Sequence, residues 1–132
     1  MSINNLSNNS NSYDLLKKGL DAATTRGKVI ANNIANINTA GYKRNYVNFE
    51  DSLNNSINDM ELKKTDLKHL DETTSGDIQT LQDNTSSMKA DGNNVDIDTE
   101  MVDQSTNSLM YNALVSQVNS KLSLTNYIIS GK

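Results

Sequence analysis

Three groups of side chains in this 132-residue chain are of types that do chemistry. The first is His69, the single histidine, set in a polar run. An imidazole suits acid–base work near neutral pH. The chain has no cysteine and no second histidine to complete a triad or a zinc site. His69 therefore reads as an exposed or hydrogen-bonded loop residue. The second group is Asp96, Asp98, Glu100 and Asp103. Their density suggests calcium, but the twelve-residue loop spacing of a calcium hand is missing. They cluster where a helix is expected to begin, and carboxylates favour the positive end of a helix dipole. The third is the basic pair Lys43–Arg44 beside Tyr42 and Tyr46. A nucleic-acid surface needs a denser basic patch, so the pair reads as solvated charge beside a loop, and alanine at either position is expected to be mild unless the side chains meet acidic residues of a neighbouring subunit. Phosphate-cradling glycine loops are absent. The expectation is a protein with no catalysis, no metal, no cofactor, no small-molecule ligand and no nucleic-acid partner.

The composition agrees. Only 35% of the residues are hydrophobic, while Asn, Ser and Thr number 21, 15 and 11. There is no Trp and no Pro, and six residues are aromatic. So little apolar surface makes a large self-sufficient core unexpected, because ordering the chain costs entropy that burial must offset. The net charge of −4 hides an asymmetry: residues 1–47 carry six basic and two acidic groups, residues 48–132 six basic and fourteen acidic. No signal-peptide core is visible, and no run is long and apolar enough to span a bilayer.

What remains to be explained is a pair of helices. Residues 1–12 are an Asn/Ser-rich stretch without periodicity, read as a flexible arm. Leu16, Leu20, Ala23, Gly27, Ile30, Ile34 and Ile37 then recur at spacings of three and four, a heptad seam that predicts a helix over 13–38. Ser12 or Asn11 is the expected cap, and Gly41 the expected stop. Phe49, Leu53, Ile57 and Met60 suggest a shorter amphipathic helix. The stretch from 63 to 94 is polar, with a turn at Ala90-Asp91-Gly92-Asn93 and short strands conceivable at 78–81 and 95–97. A second long helix is predicted over 99–129, capped by Asp98, with Ile97 stapled onto Val102. Its stripe carries Tyr111, Val115, Val118, Leu122 and Ile129.

The predicted fold is mainly α. The N- and C-terminal helices pair as an antiparallel coiled coil, forming one discontinuous domain from 13–45 and 95–132. Residues 46–94 form an insert of a short helix and polar, partly irregular chain. Two such seams alone give a poor margin over ordering entropy, so the chain looks like one that orders on assembly. Within 31–36, Ala31 and Ala35 flank the seam and permit close helix approach, while Asn32 and Asn36 lie on the back, either solvated or bonded to a neighbour.

The stretch Ala31, Asn32, Asn33, Ile34, Ala35, Asn36, Ile37, Asn38, Thr39, Ala40, Gly41, Tyr42, Lys43, Arg44 resembles the N-terminal signature of the bacterial flagellar rod and hook family. Asn93 to Leu124 resembles that family's closing helix, in a form nearest its proximal rod members. Ala40 departs from the pattern, since many relatives carry proline there. The resemblance implies a structural subunit of the hollow flagellar rod, assembled through its terminal helices and required for motility. It implies export through the flagellar type III channel, with residues 1–12 as part of the leader. The implied location is the basal body, in the rod beyond the inner membrane. The implied partners are further copies of itself, other rod subunits, the MS-ring adaptor FliE and the export gate, with no direct membrane insertion. Two other readings compete: a soluble helical adaptor or secretion chaperone forming a discrete dimer, and a small hydrolase using His69.

Overall fold

The computed structural model describes residues 4–50, 78–87 and 89–131. Two long helices dominate: α1 (Asn4–Ala35) and α2 (Ile97–Ser130), with a two-stranded sheet of β1 (Asn45–Asn48) and β2 (Gln79–Gln82). The residues in contact rise along one helix as they fall along the other: Ser12 with Lys121, Gly19 with Leu114, Ala23 with Asn107, Asn33 with Glu100. Gly19, Ala23 and Gly27 let α2 approach closely. A Cβ built on Gly19 would meet the Leu114 methyls at 3.4 and 3.5 Å, and one on Gly27 the Asn107 amide at 3.4 Å.

α1 starts at Asn4, not at residue 13. Elongating an existing helix costs far less than nucleating one, and neither Gly nor Pro interrupts residues 4–12. Ser12 is accordingly not the cap; its hydroxyl accepts from Lys121 Nζ at 2.7 Å. The helix also ends early, at Ala35 rather than residue 38. Its last turn tightens, with the Ile37 N–H donating to Ile34 O at 3.3 Å, and the Asn36 carboxamide bonds back to Asn32 O at 2.8 Å. Gly41 follows with φ of 72°, and its N–H donates to Asp91 O at 2.8 Å.

α2 starts at Ile97, with Asp96 as its cap in place of Asp98. The Asp96 carboxylate accepts from the Asp98 N–H at 3.1 Å and from the Thr99 hydroxyl at 3.2 Å. The staple of Ile97 on Val102 does not form; both are exposed. With the cap at Asp96, the residues at the staple positions are Val95 and Glu100, and those are the buried ones, at 1% and 0% exposure. The expected strand at 95–97 is absent because Ile97 already begins the helix.

β1 and β2 pair antiparallel, Asn45 opposite Gln82 and Asn48 opposite Gln79. β2 falls close to the expected 78–81; β1 has no counterpart in the sequence reading, which saw there only the approach to a helix. A two-stranded ribbon is marginal alone. Here it is held because Val47 and Phe49 pack on Ala22 and Val29 of α1, with Ile78 beside them. Leu53, Ile57, Met60 and His69 lie outside the described residues.

Because a Cβ at residue 19 would stand at van der Waals distance from the end of the flexible Leu114 side chain, Gly19→Ala is expected to stabilise the chain. A mid-helix Gly costs about 0.8–1.0 kcal/mol relative to Ala, so a rise of about 0.5–1 kcal/mol in urea unfolding is the expected result. A loss of stability would show that the helices cannot give at this point.

Candidate functional site

The C-terminal turn of α1, the chain leading into β1, and the first turns of α2 converge on polar side chains. Asn33 is fully buried and uses all of its hydrogen-bonding capacity. Its Nδ2 donates to Asn45 O at 2.7 Å and to Glu100 Oε2 at 3.1 Å. Its Oδ1 accepts from the Asn45 N–H at 3.0 Å and from the Tyr42 hydroxyl at 3.2 Å. Glu100, also fully buried, receives Arg44 Nε on its other oxygen. Arg44 Nη2 extends to Asp103 Oδ2 at 2.7 Å, and the Arg44 N–H donates to Asn94 Oδ1 at 2.7 Å.

Asn93 closes the site from the next turn. Its Nδ2 lies 2.9, 3.0 and 2.9 Å from the carbonyls of Asn36, Ile37 and Thr39, and its Oδ1 accepts from the Val95 N–H. Those carbonyls lie in the turn that follows α1, where only the short bonds from Thr39 N–H to Asn36 O and from Tyr42 N–H to Thr39 O are made within the backbone, and a remote carboxamide supplies the further donors. Gly92 at φ of 79° turns the backbone into this position.

The electrostatics follow from burial and pairing. Burial works against the charge of Arg44, but the hydrogen bond and charge of Glu100, with Asp103 and Asp83 behind it, hold the guanidinium above its ordinary value. At the other edge of the sheet, Arg26 Nη2 forks onto both Glu50 oxygens at 2.7 Å. Burial acts to raise the Glu50 carboxyl; the Arg26 hydrogen bond and charge and local backbone N–H groups overcome it, so the value falls below normal. The Thr85 N–H and hydroxyl likewise lower Asp83. A carboxyl lowered on folding contributes stability above its unfolded pKa, about 4, and loses it as pH falls through the lower folded value. Glu50→Gln is thus expected to flatten the loss of stability on acidification below about pH 4.5, read as urea midpoints across a pH series. An unchanged slope would remove Glu50 from the acid response.

This arrangement joins elements; it does not assemble a reaction centre. Each carboxylate of the node meets a guanidinium, a carboxamide or both. Among the described residues no group of acidic or histidine side chains could hold a metal ion, and no helix is long and apolar enough to cross a membrane.

The seam positions are distributed unevenly. Ala23 and Ile30 are buried; Leu16, Leu20, Gly27, Ile34 and Ile37 are half-buried. On α2, Val115 and Val118 are half-buried, whereas Tyr111, Leu122 and Ile129 are exposed, Ile129 at 79%. In the first half of α2 the side turned to α1 is polar, with Glu100, Gln104 and Asn107 inside, and Asn107 Nδ2 on Ala23 O at 2.9 Å. The signature stretch divides as well. Asn33, Tyr42 and Arg44 build the node, Ile34, Asn36 and Lys43 are half-buried, and Ala31, Asn32, Ala35, Asn38, Thr39 and Gly41 face outward.

Arg44 corrects the reading of solvated loop charge, because it is paired twice within the chain. Glu100, Asn93 and Asn107 were missed as inward residues. An acidic residue near a helix start has a sufficient local explanation, so nothing local marked Glu100 as buried. The available signal was its spacing of three from Asp103, which places both on the side that receives Arg44.

The profile of the family described as flagella basal body rod protein matches residues 16–43, the stretch that supplies Asn33 and the close-packed glycines. The flagellar basal body rod protein FlgB of Bacillus subtilis is 36% identical over 117 residues, covering 88% of this chain and 91% of its own. FlgB of Borreliella burgdorferi is 36% identical over 113 residues, covering 78% and 84%. The rod protein FlgG of Agrobacterium fabrum is 63% identical over 35 residues, 26% of this chain and 13% of its own. With relatives of one name aligned along most of both chains, this chain belongs to the FlgB family of flagellar basal body rod proteins.

Proposed function

We propose that the protein is a structural subunit of the flagellar basal body rod, at its proximal part, and acts by packing into the drive shaft rather than by catalysis. One observation carries the reading: α2 leaves Leu109, Leu124, Tyr127, Ile128 and Ile129 between 59% and 79% exposed, on a helix whose residues 104–130 include a single charge, Lys121. Large apolar side chains exposed together along one helix mark a surface that another chain covers. Neighbouring subunits supply that burial, through α1 and α2 acting as an antiparallel coiled coil whose seam is Leu16 to Ile37 on one helix and Tyr111 to Ile129 on the other.

The short, high-identity likeness to FlgG lies with a differently named rod protein, which supports other rod subunits as partners beside further copies of this chain. Contact with FliE and the export gate, and passage of residues 1–12 first through the export channel, belong to the same reading and follow from the family.

The test is complementation. Cells lacking the gene are expected to regain motility with this chain, and the chain is expected to co-purify with basal bodies. Ile34→Asp is expected to abolish both while leaving export intact, since a charge in the half-buried seam blocks packing. A discrete dimer in the cytoplasm, at constant stoichiometry across concentrations, would instead establish the adaptor reading.

A further inference from the structure

The hydrogen bonding at the end of α1 slips step by step from helix to turn. The Asn36 N–H is shared between Asn32 O and Asn33 O, at 3.1 Å each. The Ile37 and Thr39 N–H groups then reach back only three residues, to Ile34 O and Asn36 O. Bonding at that spacing is the tighter and poorer of the two helical geometries. Nothing local in the sequence requires it. Residues 36–40 are Asn-Ile-Asn-Thr-Ala, without Gly or Pro, and Ile37 continues the seam of Ile30 and Ile34 at helical spacing.

A formed helix gains one backbone bond for each residue added. The donors that Asn36 O and Ile37 O would take in a longer α1 are the Ala40 and Gly41 N–H groups. Neither is used so. The Ala40 N–H has no hydrogen bond among the described residues, and the Gly41 N–H is turned to Asp91 O at 2.8 Å. What holds α1 short comes from the turn at residues 90–93. Besides Asp91 O on Gly41, Asn93 Nδ2 serves the carbonyls of Asn36, Ile37 and Thr39. A carboxamide has two N–H hydrogens, so three acceptors share them. Asn94 then ties the base of the turn to the start of the ribbon. Its Oδ1 accepts from the Arg44 N–H at 2.7 Å, and its Nδ2 donates to Asp83 O at 2.9 Å.

We propose that the turn at residues 90–93 is a clasp on a two-state end of α1. Closed, as in the structure, it holds the carbonyls of residues 36, 37 and 39 and stops the helix at Ala35. Open, α1 runs on through Thr39, with Asn36 O and Ile37 O accepting from the Ala40 and Gly41 N–H groups. The turn swings away while Asn94 keeps its base in place, and Ile37 joins the seam as a helical residue. Ala90 and Asp91 are exposed on the clasp, so whatever engages them sets the length of α1. The device belongs to the single chain and stands or falls apart from the rod-subunit reading.

Amide exchange and Cα chemical shifts of the full chain in solution provide the test, because the Ala40 N–H is unbonded in the closed state and bonded in the open one. Asn93→Ala removes the clasp. Helical shifts at residues 36–39 are expected, with exchange at Ala40 slowed about tenfold, the modest protection of a helix end that opens locally. Gly41→Ala approaches the same state from the other side. Gly41 has φ of 72°, and a Cβ there would meet no atom within 4 Å, so alanine penalises the closed turn through the backbone alone. With Asn93 intact, it too is expected to slow exchange at Ala40. Ala40→Pro removes an N–H that the closed state leaves unbonded and the open helix needs. Added to either variant, it is expected to cancel the helical shifts. Faster exchange across residues 36–42 without helical shifts, in either variant with α2 still protected, would overturn the inference. A gain that survives Ala40→Pro would overturn it too. Where Asn93→Ala unfolds the whole chain, the Gly41→Ala result decides alone.

Discussion

Glu100→Ala is expected to lower the stability of the chain by about 3 kcal/mol, the low end of what breaking a buried ion pair costs. The carboxylate is fully buried, and its loss leaves two groups in deficit. Arg44 loses the acceptor of its Nε, and Asn33 Nδ2 loses one of its two acceptors. Arg44 keeps Asp103 and is 25% exposed, which is why the low end applies. Glu100→Gln preserves the volume and one acceptor, and is expected to cost less. The discriminating measurement is a double-mutant cycle by urea unfolding. If Arg44 and Glu100 act as a pair, Arg44→Ala costs much less in the Glu100→Ala background than in the parent. A loss below about 0.5 kcal/mol for Glu100→Ala, within the range of ordinary surface substitutions, would show that the node holds nothing together.

Asn33→Asp is expected to be at least as damaging, although it changes almost no volume. The native carboxamide donates at 2.7 and 3.1 Å to Asn45 O and Glu100 Oε2. An aspartate places a carboxylate oxygen where Nδ2 stood, so it meets both acceptors without a donor, and two buried negative charges face each other. Like charges at this separation cannot both ionise cheaply, and one carboxyl is driven to hold its proton. The sign of the pH dependence follows. A carboxyl whose folded pKa is raised binds its proton more tightly in the folded state, so the deficit relative to the parent is smallest below the unfolded value, about 4. It grows as pH rises from there to the raised folded value. The expected result is a loss above about 3 kcal/mol at neutral pH, shrinking on acidification. A constant deficit across pH 4–7 would mean that Glu100 and residue 33 are not in electrostatic contact. Asn33→Ala, which removes the donors without adding charge, is expected to show the loss without the pH dependence.

These two expectations rest on residues of different legibility. Asn33 lies inside the signature stretch and could be singled out by resemblance, although nothing in its spacing assigned it a role. Glu100 had a sufficient explanation as a dipole-favoured acidic residue in a first helical turn, and that explanation pointed it at solvent. The hydrophobic seam of α1 was legible because apolar residues recur on one face from Leu16 to Ile37. The corresponding stripe of α2 was legible only in part. Its first half turns polar side chains inward, and a pattern read from hydrophobicity passes over Glu100, Gln104 and Asn107. β1 escaped for a similar reason: Asn45-Tyr46-Val47-Asn48 has one buried residue, and its pairing partner lies more than thirty residues away.

By itself the sequence determined that the chain is mainly helical, that its apolar residues are gathered toward its two ends, that it has a single histidine and no cysteine, and that it resembles flagellar rod proteins. Each follows from local spacing, composition or a contiguous motif, which a linear chain displays directly. Only the tertiary structure decided that Arg44 is an interior ion-pair partner, that Asn93 satisfies the carbonyls of the turn after α1, fifty-four to fifty-seven residues before it, and that Asp96 rather than Asp98 caps α2. Those outcomes depend on which polar groups are denied water once the helices meet. A buried carbonyl or carboxylate takes the nearest donor in space, and distance along the chain carries no record of that choice.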